Sequence, residues 1–500
     1  MTTTAPVTPP GDTPTRRTGR WIDDWRPEEE EFWEGGGKQV ARRNLIWSIF
    51  AEHLGFSVWL IWSVSSAFLV AQGFSFTPQQ LFFLVAIPNL VGSLLRVPYT
   101  LAVGKLGGRN WTMVSAALLL VPTIGFAFAV TNPATPYWAF CLIAATAGFG
   151  GGNFSSSMAN INFFYPASKK GAALGLNAAG GNIGVSLIQF FLPLIVGGAA
   201  IFGLVKVADG GIHLERAAFV YAALAVAATL AAFFFMDNLG TAKTDTRSQL
   251  SVLKHKQTWV MSFLYIGTFG SFIGYSAAMP LLIKLNFWVP EPAPLGTGIY
   301  FAYFAFLGAL VGSVTRPLGG WLADKYGGAK VTMGAFVGII VFTLAVLWTL
   351  MQLTPNPGQS PVIASENESW FPVFLCFFLL VFAATGVGNG STYKMIPAIF
   401  RTEAERATTP GTKERVAALL AATKKSSAAI GIIGAAGAIG GFLIPITFSS
   451  PWVDDPMEAT KTAFTIFTVF YFACAGTTWF VYLRKPAEHK AATAYAGVGI

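Results

Sequence analysis

RVPYTLAVGKLGG (Arg96–Gly108) and RPLGGWLADKYGG (Arg316–Gly328) are two copies of one pattern. In each, an arginine inside an apolar stretch is followed nine residues on by Lys105 or Lys325, then by Gly107-Gly108 or Gly327-Gly328. The paired glycines mark a tight turn between helices. Two looser pairs keep the same order along the chain. GFGGGNFSSSM (Gly148–Met158) answers to GVGNGSTYKM (Gly386–Met395), and GLNAAGGNIGVSLIQFFLP (Gly175–Pro193) answers to GIIGAAGAIGGFLIP (Gly431–Pro445). The chain therefore reads as a duplicated unit.

Composition says where such a unit lives. Of 500 residues, 53% are apolar and only 11% charged, whereas a soluble domain carries about 25% charged residues. The apolar residues come in twelve blocks, from Leu45–Val70 to Ala463–Leu483. Each is long enough to cross a hydrocarbon core of about 30 Å as a helix. The repeats fall in blocks 2, 4 and 5 and again in 8, 10 and 11. The expectation is an all-α membrane protein with twelve transmembrane helices in two six-helix, pseudo-symmetric halves. The expected divisions are a tail (1–44), a first half (45–237), a linker (238–257), a second half (258–484) and a tail (485–500).

The net charge of +9 would suggest nucleic acid in a soluble protein; here its distribution decides. Lysines and arginines concentrate in alternate loops, such as Lys105 and Arg109, Lys169 and Lys170, and Arg401 to Arg415. The intervening loops are poor in them or acidic, as at Glu366, Glu368, Asp454 and Asp455. The positive-inside rule then places both termini in the cytoplasm and the protein in a plasma or inner membrane. Cys141, Cys376 and Cys474 have no paired spacing, so no disulfide framework or metal site is expected. Met1–Gly19 reads as disordered, and WIDDWRPEEEEFW (Trp21–Trp33) as a short interfacial helix.

Arg96 and Arg316 carry the chemistry. A guanidinium within a bilayer costs about 2.5–3.5 kcal/mol or more, so such residues face a cavity and bind something. Two of them at one cavity repel each other, and a single anion relieves that repulsion. Arginine's planar fork suits a planar oxyanion. The bland alternative is a strut, with each arginine paired to a buried carboxylate or snorkelling. The glycine runs, including Gly150, Gly152, Gly180, Gly388, Gly390 and Gly437, let helices approach closely; between the halves they would also permit rocking. Asn153, Ser155, Asn160 and Asn177 are candidate neutral donors.

LLRVPYT, GGGNFSSSMANINFFYP, GLNAAGGNIG, LYIGTFGSFIGYSA and GNGSTYKMIP together resemble the NarK-like nitrate/nitrite porters of the major facilitators. The likeness runs from near Asp23 through the last span. It implies that Arg96 and Arg316 clamp nitrate or nitrite between the halves. It also implies that Asn177, Tyr265, Phe269 and Phe154 line or close the site, with aromatic rings on either face of the anion. No cofactor, metal or nucleic acid is expected; the partners are nitrate, nitrite and membrane lipid, and the form a monomer.

Nitrate is a very weak base and carries no proton itself. With no titratable group in the cavity, exchange of nitrate for nitrite follows; with one, proton symport becomes available. Glu52 in the first span, Lys394 in the tenth and Lys424 in the eleventh are the candidates. Glu52 is expected either to pair with Lys394 or Lys424 or to couple protons. A membrane enzyme is disfavoured, because His53, His213, His255 and His489 are scattered and no HExxH or nucleophile elbow occurs. A sensor would need an output domain. A porter for another small anion is the remaining alternative.

Overall fold

The computed structural model describes residues 14–197, 211–242, 250–290, 296–355, 360–450 and 453–484. The expected tails at 1–13 and 485–500, and the linker residues 243–249, lie outside the described residues.

Among the described residues, twelve long helices make up the body. In the first half they are α1 (Glu30–Phe68), α2 (Pro78–Leu106), α3 (Gly108–Thr131), α4 (Tyr137–Phe164), α5 (Ala167–Ile195) and α6 (Leu214–Phe235). The second half has α7 (Lys256–Phe287), α8 (Phe301–Tyr326), α9 (Gly328–Leu350), α10 (Phe371–Arg406), α11 (Lys413–Phe448) and α12 (Pro456–Leu483). Eleven of these are long and apolar enough to cross a membrane. The exception is α4, which has the length at 28 residues. Its Gly-, Ser- and Asn-rich stretch is almost wholly buried against other helices, so it needs no apolar surface toward lipid.

The duplication is visible in packing. In the first half α2 packs on α4 and α3 on α6; in the second, α8 packs on α10 and α9 on α12. The predicted turn glycines adopt one conformation in both copies: Gly107 has φ 87° and Gly327 φ 90°, a region that side chains with a Cβ rarely occupy. A further match, Val91-Gly92-Ser93 against Val311-Gly312-Ser313, extends the repeat upstream of each arginine. The halves meet where α11 lies along α2, where α5 crosses α8 and where α7 meets the end of α1.

The segment Trp21–Trp33 departs from expectation. It is not an interfacial helix but is folded onto the first half. Trp21–Ile22 (β1) pairs in parallel with Asn238–Leu239 (β2), Trp25 Nε1 donates to the Phe163 carbonyl at 3.1 Å, and Trp25 and Trp33 are buried. The reason is Asp237 at the end of α6. Fully buried, it accepts ion pairs from Arg16 at 2.8 Å, Arg20 at 2.9 Å and Arg43 at 2.5 Å. Arg16 belongs to the stretch expected to be disordered, and Arg20 follows directly after it. Burial opposes charge on Asp237, yet the bond from Arg16, the charge of Arg43 and the bond from Asn44 hold its carboxyl below the ordinary value.

Candidate functional site

Arg96 and Arg316 each lie ten residues before the end of their helix, at Leu106 and Tyr326. That depth is about 15 Å at 1.5 Å per residue. The two side chains converge on one ring, Phe154 of α4. The guanidinium of Arg96 lies 4.8 Å from its centroid and that of Arg316 5.5 Å. Arg96 also sits 4.9 Å from Phe269 and 5.3 Å from Trp59. Arg316 sits 5.5 Å from Tyr393. Phe154, Phe269 and Tyr265 form a row of nearly parallel rings, with centroids 5.9 Å and 5.3 Å apart. A π-helical turn, Ile266–Gly270, interrupts α7 directly after Tyr265 and carries Phe269; such turns are frequent at functional sites.

Neither arginine is neutralised by a carboxylate among the described residues. Arg96, 0% exposed, donates from Nε to the Gly151 carbonyl at 3.1 Å and from Nη1 to the Gly434 carbonyl at 2.8 Å. Its Nη2 has no protein partner. Arg316 makes one long bond, Nη2 to the Tyr265 hydroxyl at 3.4 Å, and its Nη1 has none. No carboxylate strut is thus present among the described residues, although Arg96 does tie α2 to α4 and α11 through one main-chain carbonyl of each. Unpartnered N–H groups on a buried cation are costly to leave unmade and suited to an oxyanion.

Asn177 is near but turned to a different task. Its Nδ2 donates to Glu52 Oε2 at 2.7 Å and to Ser157 Oγ at 2.6 Å. Glu52 is buried, feels the charges of both Arg316 and Arg96, and keeps Oε1 unpartnered. The expected lysine partner is a correction. Lys394 pairs instead with Asp324, 2.6 Å away, and Lys424 is exposed. The physical reason is length: α10 continues to Arg406, well past its apolar stretch, so Lys394 lies on a wet wall.

That wall belongs to a cavity of about 1000 Å³ between α5 and the ends of α8, α10 and α11. Arg316 and Tyr393 stand among its lining residues, with Lys170, Asp324, Lys394 and Arg401 toward the basic loops. The opposite end is closed. There Ser63 Oγ donates to the Ala277 carbonyl at 2.9 Å, Gln189 Nε2 to that of Ser276 at 2.6 Å, and Ser186 Oγ to that of Phe306 at 3.1 Å.

The six named glycines pack helices within each half rather than between halves, which corrects the rocking role expected of them. A Cβ on Gly150 would meet the Gly55 carbonyl, on Gly152 the Tyr99 ring, on Gly180 Ile49, on Gly388 Thr268, on Gly390 the Arg316 carbonyl and on Gly437 the Tyr265 ring. Glycines that do face the other half include Gly431, Gly434 and Gly441 of α11, set against Thr100, Arg96 and Asn89 of α2. Of the candidate donors, Ser155 lies by the arginine cluster, next to Gly434, while Asn153 faces Gly55 and Asn160 faces Gly108.

Sequence reasoning missed Tyr393, whose hydroxyl is sealed and unpartnered, and Trp59 and Gly434. A signal existed for two of them. Tyr393 stands inside the quoted GVGNGSTYKM, and aligning the span 5 and 11 repeats on their Ala-Ala-Gly sets Gly434 opposite Asn177.

Residues 53–445 match the Major Facilitator Superfamily. The chain is 41% identical over 478 residues to the nitrate/nitrite transporter NarU of Salmonella typhimurium, covering 93% of this chain and 97% of that one. It is 35% identical over 487 residues to the probable nitrate/nitrite antiporter NarK2 of Thermus thermophilus, covering 94% and 98%. Among solved structures, the xylose transporter XylE from E. coli, in a partially occluded inward open conformation, superposes with a TM-score of 0.57 at 14% identity, over 89% of this chain and 100% of that one. At that identity the likeness speaks for the fold alone.

Proposed function

Because this chain belongs to the Major Facilitator Superfamily, we propose that it carries nitrate and nitrite across the cytoplasmic membrane by alternating access, exchanging one for the other. The single observation that carries this reading is the pair of buried guanidiniums, one from each half, gathered on Phe154 with an unpartnered N–H group apiece. Two like charges so close favour the form of the protein that holds an anion between them. The names of the 41% and 35% identical relatives supply which anion. In this reading Arg96 and Arg316 clamp the anion, the rings of Phe154, Phe269 and Tyr265 enclose it, and Asn177 contributes from the Glu52 side. With basic loops cytoplasmic, the cavity opens inward, and both termini lie inside the cell.

Exchange follows from the charge balance: an empty site leaves two cations facing each other in a dry place, so the halves cross far more readily when loaded. A second reading, nitrate/proton symport, is favoured by one observation. Glu52 has no lysine or arginine within ion-pair distance among the described residues, yet lies within electrostatic reach of both arginines. A bound anion there makes proton binding to Glu52 easier, and by reciprocity a proton on Glu52 makes anion binding easier.

Counterflow in proteoliposomes separates the two. Nitrate uptake that requires internal nitrite and ignores a pH gradient supports exchange. Proton-driven uptake into empty vesicles that is lost in Glu52→Gln selects symport, and no nitrate movement under either condition overturns the reading.

A further inference from the structure

The end of the molecule opposite the cavity holds a cation that the clamp does not use. Lys284 projects from α7 of the second half toward the last turn of α1 in the first. Its Nζ donates to the Ala67 carbonyl at 2.6 Å and lies 5.6 Å from the Trp288 ring. No carboxylate comes within ion-pair distance of it among the described residues. Its neighbourhood is aromatic, with Phe68 and Trp288 both packed on Phe301. The loops at this end carry Glu366, Glu368 and Asp454, all exposed, which repel an approaching anion.

A half-buried ammonium held by one carbonyl is poorly compensated, and that carbonyl sits on the other half. When the halves part at this end, the Ala67 contact must open, and the charge is released into the newly formed vestibule behind an acidic rim. We propose that Lys284 is the anion-receiving residue of this second entrance: closed on Ala67 when the cavity is open, and drawing a small oxyanion past the carboxylates when the access reverses. The inference rests on the transport function proposed above.

The test is nitrate transport measured separately from each side of oriented proteoliposomes, for the wild type, Lys284→Gln and Lys284→Arg. Glutamine keeps an N–H donor for Ala67 and removes the charge; arginine keeps both. Lys284→Gln is expected to raise KM about tenfold for nitrate offered at the Lys284 end in low salt, the size of an electrostatic focusing effect. Its kcat and its KM from the cavity end stay near the wild type. The KM difference should shrink as salt shortens the screening length to about 8 Å, and Lys284→Arg should behave as the wild type. Equal KM shifts from both ends, a shift indifferent to salt, or an Arg variant as impaired as the Gln variant would each overturn the assignment and leave a helix-end strut. The wild-type arm keeps the two failures apart, since a wild type that moves no nitrate overturns the transport reading together with this one.

Discussion

Arg96 and Arg316 occupy equivalent places in two copies of one fold, yet they live differently. Arg96 is sealed and fixed by two main-chain carbonyls, one of them from the other half. Arg316 looks into the cavity and is held by one long bond to a tyrosine hydroxyl. The surroundings differ in kind as well. Beside Arg96 in the first half stands the Glu52–Asn177 pair, whereas the second half puts the Tyr265 ring against Gly437 of α11. Duplication supplies a matched pair of charges, and divergence of the neighbours supplies direction. Arg316 lines the cavity, whereas Arg96 is not among its lining residues.

The largest effects test that contrast at once. Arg96→Lys and Arg316→Lys should each lower transport at least about 100-fold, because a point donor replaces a planar fork. Stability should then separate the two. Arg96→Ala removes the two charge-assisted bonds that tie α2 to Gly151 of α4 and Gly434 of α11, at about 1.5–3 kcal/mol each, and should melt clearly lower in detergent. Arg316→Ala strands no main-chain group and should melt near the wild type. Equal melting points would break the comparison.

The same contrast holds at the basic-loop ends. The first half is closed there by buried Asp237 with its three arginines; the second is rimmed by exposed pairs such as Lys394–Asp324. Asp237→Asn should cost about 2 kcal/mol, the value for breaking a buried pair discounted for arginines that are partly in water. Its carboxyl is depressed when folded, so the stabilisation is complete above the ordinary pKa of 3.8 and fades as pH falls through the lower folded value. Acid melts of the wild type should therefore lose stability below pH 3.8 in a step that Asp237→Asn lacks.

A smaller effect is expected from glycines. A Cβ on Gly440 would press on the Gly270 backbone at 2.5 Å, while one on Gly434 would meet Arg96 Nη1 at an ordinary 3.6 Å. Gly440→Ala should destabilise by about 1–3 kcal/mol through overpacking. Gly434→Ala, making only an ordinary contact, should fold and melt near the wild type. Smallest of all, Lys394→Gln should change stability by less than about 1 kcal/mol, since both partners of its ion pair reach water.

Much of this was legible beforehand because hydropathy and repetition report directly on burial and duplication. They place the helices, the turn at Gly107 and Gly327, and the two arginines at one depth. What they do not report is which side chains meet across helices. Glu52 and Lys394 both fall inside apolar blocks, and only the extension of α10 to Arg406 separates them. Trp21–Trp33 reads as a membrane-surface helix because its tryptophans are counted without Asp237, more than 200 residues away. Tyr393 was hidden by its neighbour Lys394, the more conspicuous charge.

In the proposed mechanism two symmetry-related arginines form one site for one anion. Calorimetric titration of the purified protein with nitrate tests it most directly, for the wild type, Arg96→Lys, Arg316→Lys and the double variant. One anion per chain is expected, with binding lost in either single variant and no further loss in the double, since residues sharing one ligand are not additive. Two anions per chain, or single variants that each retain wild-type affinity, would contradict it.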